Sequence, residues 1–435
     1  MVRFFRFITG FCFICLVLWQ PPSQAAPDFP ATAVAASNTG PVGRPLGMEE
    51  AIDLALEHQP LLRAQTDAVS AARENAIAAA QLPDPKLSVG VQDLPVDTRE
   101  AFSLSRDDFT MYKIGVMQDF PRAEKRRLRG ERGELESEVA EQELAASRLS
   151  VRRDTALAWL EVWRAERAEE LARAAARETD LQAQEVEIAY RTARATQAEL
   201  LAARVDAQLA HDRIADLEQE ADQARNALSR WIGADAASRP LSADPPVSGS
   251  PPGIDELLAR LRSHPLLNAA AKRSDVARSE VRLARADYKP DWSVEMYYAN
   301  RPEFSDFVGV QFTMDLPIFT ANRQDRGLAA RLQEQDRAEQ EREDLWRREE
   351  AQARQSLVNW RHLQERITRY DREILPHGAQ RIEAARLAWQ AGQGALGAVL
   401  DARRVDLENR MKRLDLIRDA AMNRVNLDYF AGDQS

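Results

Sequence analysis

The sequence predicts a mainly α-helical protein with a small β part, in which one structural unit occurs twice. Segments 190–203 and 389–402 match at an offset of 199 residues, and segments 58–62 and 263–267 match at an offset of 205. Most of the chain spaces its apolar residues as helices do, whereas four short stretches alternate apolar and polar residues. A repeat of so long a period indicates two stacked copies of one unit.

The composition limits the class of protein. The chain has 435 residues, 29% of them charged, and a formal net charge of -10. Its basic residues are not concentrated, which argues against a nucleic-acid partner. It has no glycine-rich phosphate loop and only five scattered histidines, so we expect no enzyme, no cofactor and no metal site. His264 lies directly before a proline, and one residue separates His58 from the next proline. We interpret both histidines as helix-end residues.

The N-terminus predicts export. Arg3 and Arg6 precede the apolar stretch 7–19, and small residues follow it, which is typical of a cleaved signal peptide over 1–26. A single anchoring helix is the alternative. Both cysteines lie in this segment without the pattern of a lipidation site, so we expect no lipid anchor. Residues 27–45, rich in Ala, Pro, Ser and Thr, predict a flexible tether.

The first copy is predicted over 46–235 and begins with a helix. A proline-rich stretch, Leu82–Pro85, ends that helix. Alternation then predicts a strand pair over 86–118, with one face wholly apolar and Lys113 on the other face.

The second copy, 254–432, repeats this order after a linker over 236–253. Its strand pair is predicted over 291–315, with Glu295 on the polar face. The residues assigned to the apolar faces of the four strands are Leu87, Val89, Val91, Tyr112, Ile114, Val116, Trp292, Val294, Met296, Tyr298, Val308, Val310, Phe312 and Met314.

Strands of about nine residues are long enough to cross a bilayer at a tilt. Four strands cannot close a barrel, and open sheet edges in lipid leave backbone groups unpaired. A membrane sheet of this size therefore requires copies of the chain to share one barrel, without fixing their number. Two strand hairpins packed on a soluble core remain the alternative.

Each copy ends in a long helical hairpin, over 122–233 and 318–432. The outward arm of the first hairpin measures on the order of 100 Å at about 1.5 Å per residue. Pro376 is expected to kink the outward arm of the second hairpin.

The order of these elements resembles the TolC family of outer-membrane efflux ducts over essentially the whole mature chain. The segments that carry the resemblance are 46–62, 78–91, 114–121, 308–319 and 388–410. The LPDP motif before the first strand and the DFP and DLP motifs after the second and fourth look most like the heavy-metal branch, the CusC/CzcC-like proteins.

The resemblance implies a homotrimer with a twelve-stranded β-barrel in outer-membrane lipid and a helical tunnel through the periplasm. It implies two protein partners, a periplasmic adaptor (membrane fusion protein) that meets the hairpin turns and, indirectly, an inner-membrane pump of the resistance-nodulation-division (RND) class. Heavy-metal cations such as copper and silver, or cobalt, zinc and cadmium, are the implied cargo. Drug efflux and type I protein secretion are alternatives within the family, and a periplasmic coiled-coil adaptor is the alternative of another class.

Candidate site residues follow from the family pattern at the hairpin turns. Asp401 matches an aspartate that would form a carboxylate ring at the periplasmic aperture, and Trp389 stands where the family often has tyrosine. The residues that the resemblance offers for adaptor docking are Tyr190, Ala193, Glu199, Leu200, Gly392, Gly394, Gly397 and Val399. Ala193 replaces an expected glycine, so we expect the second turn to be the more pliable one.

Overall fold

The computed structural model describes residues 44–97, 99, 101–242 and 249–432. The predicted signal peptide lies outside the described residues, and so does the predicted tether as far as residue 43. The remaining chain contains the two copies that were predicted. None of the helices in the described ranges has an apolar stretch long enough to span a membrane.

The first copy has the predicted order of helices, strand pair and hairpin. Its initial helix is divided at Gln59, because Pro60 has no amide hydrogen to continue the first helix and instead starts the second. The elements of this copy are α1 (Met48–His58), α2 (Pro60–Ala79), β1 (Lys86–Gln92), β2 (Met111–Phe120), α3 (Ala123–Arg191) and α4 (Gln197–Ile232). Helix α3 has 69 residues, which agrees with the predicted arm of about 100 Å.

The second copy follows the same order. A short helix, α5 (Ala234–Ala237), leads into the predicted linker, and Leu46 pairs with Leu241 there, so that the linker returns to the start of the first copy. The further elements are α6 (Ile254–Leu261), α7 (Pro265–Ala286), β3 (Trp292–Asn300), β4 (Phe307–Met314), α8 (Gln324–Arg369), α9 (Leu375–Gln390) and α10 (Leu396–Ala431).

The irregularity predicted at Pro376 is present as a π-helical turn, Tyr370–Ile374, between α8 and α9. A proline ring clashes with the carbonyl group four residues earlier, which here belongs to Arg372 within that turn. The disturbance therefore lies one turn before the proline itself.

The four strands form one antiparallel sheet in the order β1-β2-β3-β4. Strands β1 and β2 belong to the first copy, and β3 and β4 to the second. The sheet therefore joins the two copies through the β2–β3 pair, in which Ile114 lies opposite Tyr298 and Phe120 opposite Trp292. On that pair, the rings of Phe120 and Trp292 stack at 4.3 Å.

The predicted apolar faces combine into one continuous surface. The register places Val89 opposite Ile114, Ile114 opposite Tyr298, and Tyr298 opposite Val308, so all four apolar faces lie on the same side of the sheet. All fourteen residues assigned to it are exposed except Val294, which is half-buried. A surface this large and this apolar requires a partner or a lipid environment.

A buried ion pair joins the sheet to the helices. Lys125, in the first turn of α3, is only 5% exposed, and its Nζ lies 2.9 Å from Asp291 Oδ2 and 3.3 Å from Asp287 Oδ1. The amide of Arg122 donates to Asp291 Oδ1 at 3.0 Å. Burial alone would raise the pKa of Asp291, but these two hydrogen bonds bring it below its usual value. The start of the first hairpin is thereby fixed to the residue that precedes β3.

The helical part is organised around α3, which contacts α2, α4, α7 and α10. Trp159 lies at its centre, fully buried, and its indole N–H donates to the carbonyl oxygen of Leu46 at 3.1 Å. On α4, Leu217 and Leu228 are fully buried against this core.

The two histidines lie at helix ends, as predicted. His58 is the last residue of α1, and His264 is the N-cap of α7, where its Nδ1 accepts a hydrogen bond from the amide of Leu266 at 3.2 Å. His264 is 2% exposed and its ring contacts that of Tyr429 edge-on at 4.8 Å. Burial lowers the pKa of His264 to about 4.

We predict that His264 makes the protein sensitive to acid. In the unfolded chain its pKa is about 6.5, so folding disfavours protonation. The stabilisation from the neutral ring is complete above that pH and is lost as the pH falls from about 6.5 to about 4, by on the order of 3 kcal/mol. The apparent Tm of the detergent-solubilised protein should therefore fall over this range, and less so in His264→Asn, which keeps an N-cap acceptor. Equal slopes in the two proteins would contradict this prediction.

Candidate functional site at the hairpin tips

The two hairpin tips share one backbone geometry. Each tip closes with hydrogen bonds from the turn back to the end of the outward helix, at distances of 2.8 to 3.0 Å. The matching bonds run from Ala193 N–H to Tyr190 O and from Arg194 N–H to Ala189 O in the first tip, and from Gly392 N–H to Trp389 O and from Gln393 N–H to Ala388 O in the second. Each pair of equivalent residues differs by the offset of 199 that the sequence repeat predicted.

Both turns require a left-handed residue at the same position. Gly392 has a φ of 71°, a backbone conformation that glycine adopts without strain. A Cβ added there would meet no other atom within 4 Å, so the requirement for glycine is conformational and does not come from packing. Ala193 adopts a φ of 55° at the equivalent position. An alanine in this conformation costs roughly 1 kcal/mol relative to its usual backbone. The missing glycine noted in the sequence therefore leaves the turn type unchanged and adds strain to the first tip.

The tips differ in how their returning helices begin. Thr196 is the N-cap of α4 and forms a capping box with Glu199, in which Glu199 N–H donates to Thr196 Oγ1 at 3.2 Å and Thr196 N–H donates to Glu199 Oε2 at 2.8 Å. The equivalent residues of the second tip are Ala395 and Ala398, and Ala395 provides no side-chain cap for α10. The first tip is thus capped and the second is not.

Glu199 also links the two tips. The amide and hydroxyl groups of Thr196, which both donate to Glu199, hold the pKa of that carboxyl below its usual value. The amide of Leu396, the first residue of α10, also lowers the pKa of Glu199. One carboxylate therefore faces the N-termini of both returning helices, where its charge is favoured by the helix dipoles.

A small apolar cluster packs the tips together. Leu396 of the second tip is 1% exposed and lies among side chains of the first. The buried members are Val186, Leu200, Ala203 and Leu396, and the half-buried ones are Ala183, Ala195, Trp389 and Leu400. Trp389, predicted near the aperture, thus contributes to the contact between the hairpins of its own chain.

Asp401 carries two ion pairs within the second hairpin. Its Oδ2 lies 2.9 Å from Arg381 Nη2 of α9, and its Oδ1 lies 2.6 Å from Arg404 Nη2, one turn further along α10. The Arg404 guanidinium, followed by that of Arg381, lowers the pKa of Asp401. The carboxylate is therefore charged and already compensated by its neighbours. Within the described ranges, no three His, Cys, Asp or Glu side chains form a group that could hold a metal ion.

The residues offered for docking fall into two groups. Tyr190 is 41% exposed, and Ala193, Gly392, Gly394 and Gly397 are also exposed, whereas Glu199 is half-buried.

Leu200 is 8% exposed and Val399 is fully buried. Both side chains are covered within the single chain in this conformation, and their role in adaptor docking stays a prediction. Their apolar spacing along α4 and α10 would have indicated that these two residues face a packed interior.

Two features of the tips were not predicted. The capping box has a clear signal, since Thr196 and Glu199 form the Thr-x-x-Glu pattern at the start of an apolar run. The pair of Asp401 with Arg404 has the helical i, i+3 spacing, whereas its pair with Arg381 joins two helices and depends on the hairpin geometry.

Two long helical hairpins, each preceded by a strand pair, and one shared sheet with an exposed apolar face define a class of proteins that form channels through membranes. The family model "Outer membrane efflux protein" matches residues 51–234 and 257–433, which cover most of both copies. The chain belongs to this outer membrane efflux family.

Comparison with solved structures shows the same fold. A membrane protein from Pseudomonas aeruginosa is 18% identical with a TM-score of 0.75, and the match covers 89% of this chain and 92% of that protein. CusC is 19% identical with a TM-score of 0.72, with coverage of 88% and 91%. The outer membrane protein VceC from Vibrio cholerae is 20% identical with a TM-score of 0.74, with coverage of 88% and 96%. No curated protein sequence matches.

The family and the fold decide between the two classes considered from the sequence. A periplasmic coiled-coil adaptor would have one hairpin and no membrane strands. The chain has two hairpins and a four-stranded sheet, and both copies match the efflux family. The adaptor alternative is therefore wrong.

We predict that Ala193→Gly and Gly392→Ala change the stability of their turns in opposite directions. Ala193→Gly should stabilise the first tip by about 1 kcal/mol because it removes the left-handed strain, and Gly392→Ala should destabilise the second tip by a similar amount. Hydrogen exchange of the tip amides measures both changes. Gly397→Ala is the matched control, since a Cβ there meets no atom within 4 Å and φ is not positive. Faster exchange in Ala193→Gly would contradict the strain at this turn.

Proposed function

We propose that the protein is the outer-membrane exit duct of a tripartite efflux system, and that it conducts its cargo passively without catalysis. The observation that carries this proposal is the continuous apolar face of the open sheet, joined to helical hairpins about 100 Å long. The sheet fits a lipid bilayer, and the hairpins are long enough to reach far into the periplasm. Family membership supports the same assignment.

The open edges of the sheet support assembly with further copies of the chain. Strands β1 and β4 are the edges of the described sheet. In lipid their unpaired backbone groups would cost several kcal/mol each, so they must pair with another chain. Three copies give twelve strands, the homotrimer that the resemblance implies.

The helices also offer a surface for neighbouring subunits. On α4, residues at a spacing of four present an exposed apolar stripe, and α3 adds two residues beside the first tip. The exposed residues are Leu181, Ile188, Leu201, Val205 and Leu209. Packing this stripe against the next subunit would extend the sheet contact along the helices.

The tips are proposed to be the periplasmic aperture and the site of adaptor docking. The second tip has three glycines, Gly392, Gly394 and Gly397, and lacks the capping box of the first. We assign the movement that opens the aperture to this tip, with the docked adaptor favouring the open arrangement and an inner-membrane RND pump supplying the energy.

Asp401 and Trp389 remain our candidates for the aperture lining. Because Asp401 is paired with Arg381 and Arg404, three subunits would bring together a network of alternating charges instead of three bare carboxylates. Opening would then have to rearrange these pairs, which are exposed and therefore weak individually.

We propose heavy-metal cations as the cargo. The support is the sequence resemblance of the motifs at 82–85, 119–121 and 315–317. The similar structures do not favour one cargo, because differently named proteins such as CusC and VceC match with nearly equal TM-scores. Drug efflux and type I protein secretion are the alternatives within the family.

Deletion of the gene tests the cargo. The deleted strain should become more sensitive to copper and silver, or to cobalt, zinc and cadmium, and the plasmid-borne gene should restore growth. A drug panel is measured in parallel. Sensitivity to drugs alone would overturn the metal assignment while leaving the duct in place, and sensitivity to neither would count against efflux.

We predict that adaptor docking depends on the exposed residues of the tips. Tyr190→Ala should weaken binding of the purified adaptor about tenfold, because exposed aromatic residues often dominate such contacts. Val358→Ala is the control, a truncation at a 46% exposed apolar residue of α8 that lies outside both the tips and the stripe. Surface plasmon resonance with the detergent-solubilised protein gives both values. Equal affinities for the two variants would place docking elsewhere.

A further inference from the structure

The face of the sheet opposite the apolar surface has a compensated set of charges. In the described strands this polar face carries four charged residues, at register positions that all lie on the same side. They form two pairs, with Lys86 Nζ 2.7 Å from Asp119 Oδ2 and Lys113 Nζ 2.9 Å from Glu295 Oε2. The formal charge of this face is therefore zero, and each charge has its counter-charge on a neighbouring strand.

The Lys113–Glu295 pair is held close to the backbone of the sheet. Glu295 also accepts a hydrogen bond from Ser88 Oγ at 2.8 Å, so the carboxylate spans β1, β2 and β3. The side chains of Lys113 and Glu295 are only 21% and 13% exposed, although no other chain covers this face. Side chains that point straight away from an open sheet would be far more exposed.

Tyr297 extends this arrangement to the fourth strand. Lys113 Nζ lies 4.2 Å from the centre of the Tyr297 ring, a cation–π contact. The ring lies over Gly309 of β4, where a Cβ would approach Tyr297 Cζ to 2.3 Å. The Glu295 carboxylate lies over Gly115 of β2, where a Cβ would approach Glu295 Oε1 to 2.8 Å. Glycine at these two positions thus lets the tyrosine and the ion pair lie along the wall.

We propose that this polar face is a lumen wall without charge selectivity. The charges of Glu295 and Lys113 cancel each other, so the wall favours neither anions nor cations. The inference rests on the proposed function, which assigns this face to the lumen. A wall lined by charge of one sign would concentrate ions of the opposite sign. A flat, neutral wall instead admits cargo of either charge.

The test uses a thiol on this face to measure the local potential. Gln311 lies opposite Glu295 on β4 and is exposed, and the only native cysteines are in the predicted signal peptide. The full-length protein with Gln311→Cys is treated in intact cells with a cationic and an anionic methanethiosulfonate of similar size. The ratio of their rate constants is compared with the ratio for a small free thiol.

We expect the two ratios to agree within about threefold. Adding Glu295→Gln leaves Lys113 unpaired and should shift the ratio at least about threefold toward the anionic reagent, and adding Lys113→Gln should shift it as far toward the cationic one. The exchange of charges, Lys113→Glu with Glu295→Lys, should restore the original ratio. The neutral wall would be overturned if the ratio in the Gln311→Cys protein differed more than about threefold from that of the free thiol, or if neither Glu295→Gln nor Lys113→Gln shifted the ratio.

Val310→Cys separates this inference from the proposed function. Val310 is the neighbour of Gln311 on the apolar face and is 67% exposed in the single chain. In a lipid-embedded barrel the hydrophilic reagents should not reach it. If Val310→Cys reacts as fast as Gln311→Cys, the apolar face is in water and the duct assignment fails, whatever the charge dependence at residue 311.

Discussion

The pairing of β2 with β3 is the contact on which the sheet depends. The short segment 301–306 joins β3 to β4 and the longer segment 93–110 joins β1 to β2, but no short turn connects β2 to β3. A slip by one residue would move every apolar side chain of one copy to the polar face. The register is instead fixed by side chains on both faces, by the Phe120–Trp292 stack on one and the Lys113–Glu295 pair on the other.

The same junction connects the sheet to the helices. Asp291 precedes β3 directly, and its contacts with Lys125 and with the amide of Arg122 fix the start of α3 against the second copy. Because Lys125 is buried, the loss of Asp291 would leave its charge with only the longer contact to Asp287, and a buried charge that loses a partner is destabilised. The two copies are therefore joined at the sheet, at the junction below it and, through Glu199 and the apolar cluster, at the tips.

Periodicity alone was sufficient to predict most of the fold. The alternation of Val308, Val310 and Phe312 requires a strand with one apolar face whatever surrounds it, and a proline such as Pro60 limits a helix locally. The strand order could not be derived, because it depends on which strands meet after two long helical hairpins have formed. The burial of Leu200 and Val399 follows the apolar spacing of their helices, whereas the ion pair of Asp401 with Arg381 depends on how the two helices of the hairpin meet.

The separation of β2 and β3 along the chain has a consequence for biogenesis. Both helices of the first hairpin, and then α6 and α7, are synthesised between these two strands. Contacts between such distant segments form late, because the entropy of closing so long a loop opposes them. The strands of the first copy must therefore wait with their apolar side chains uncovered, and in that interval they are prone to aggregate. A holding chaperone that shields extended apolar segments would be needed for this stage of assembly more than for the helices.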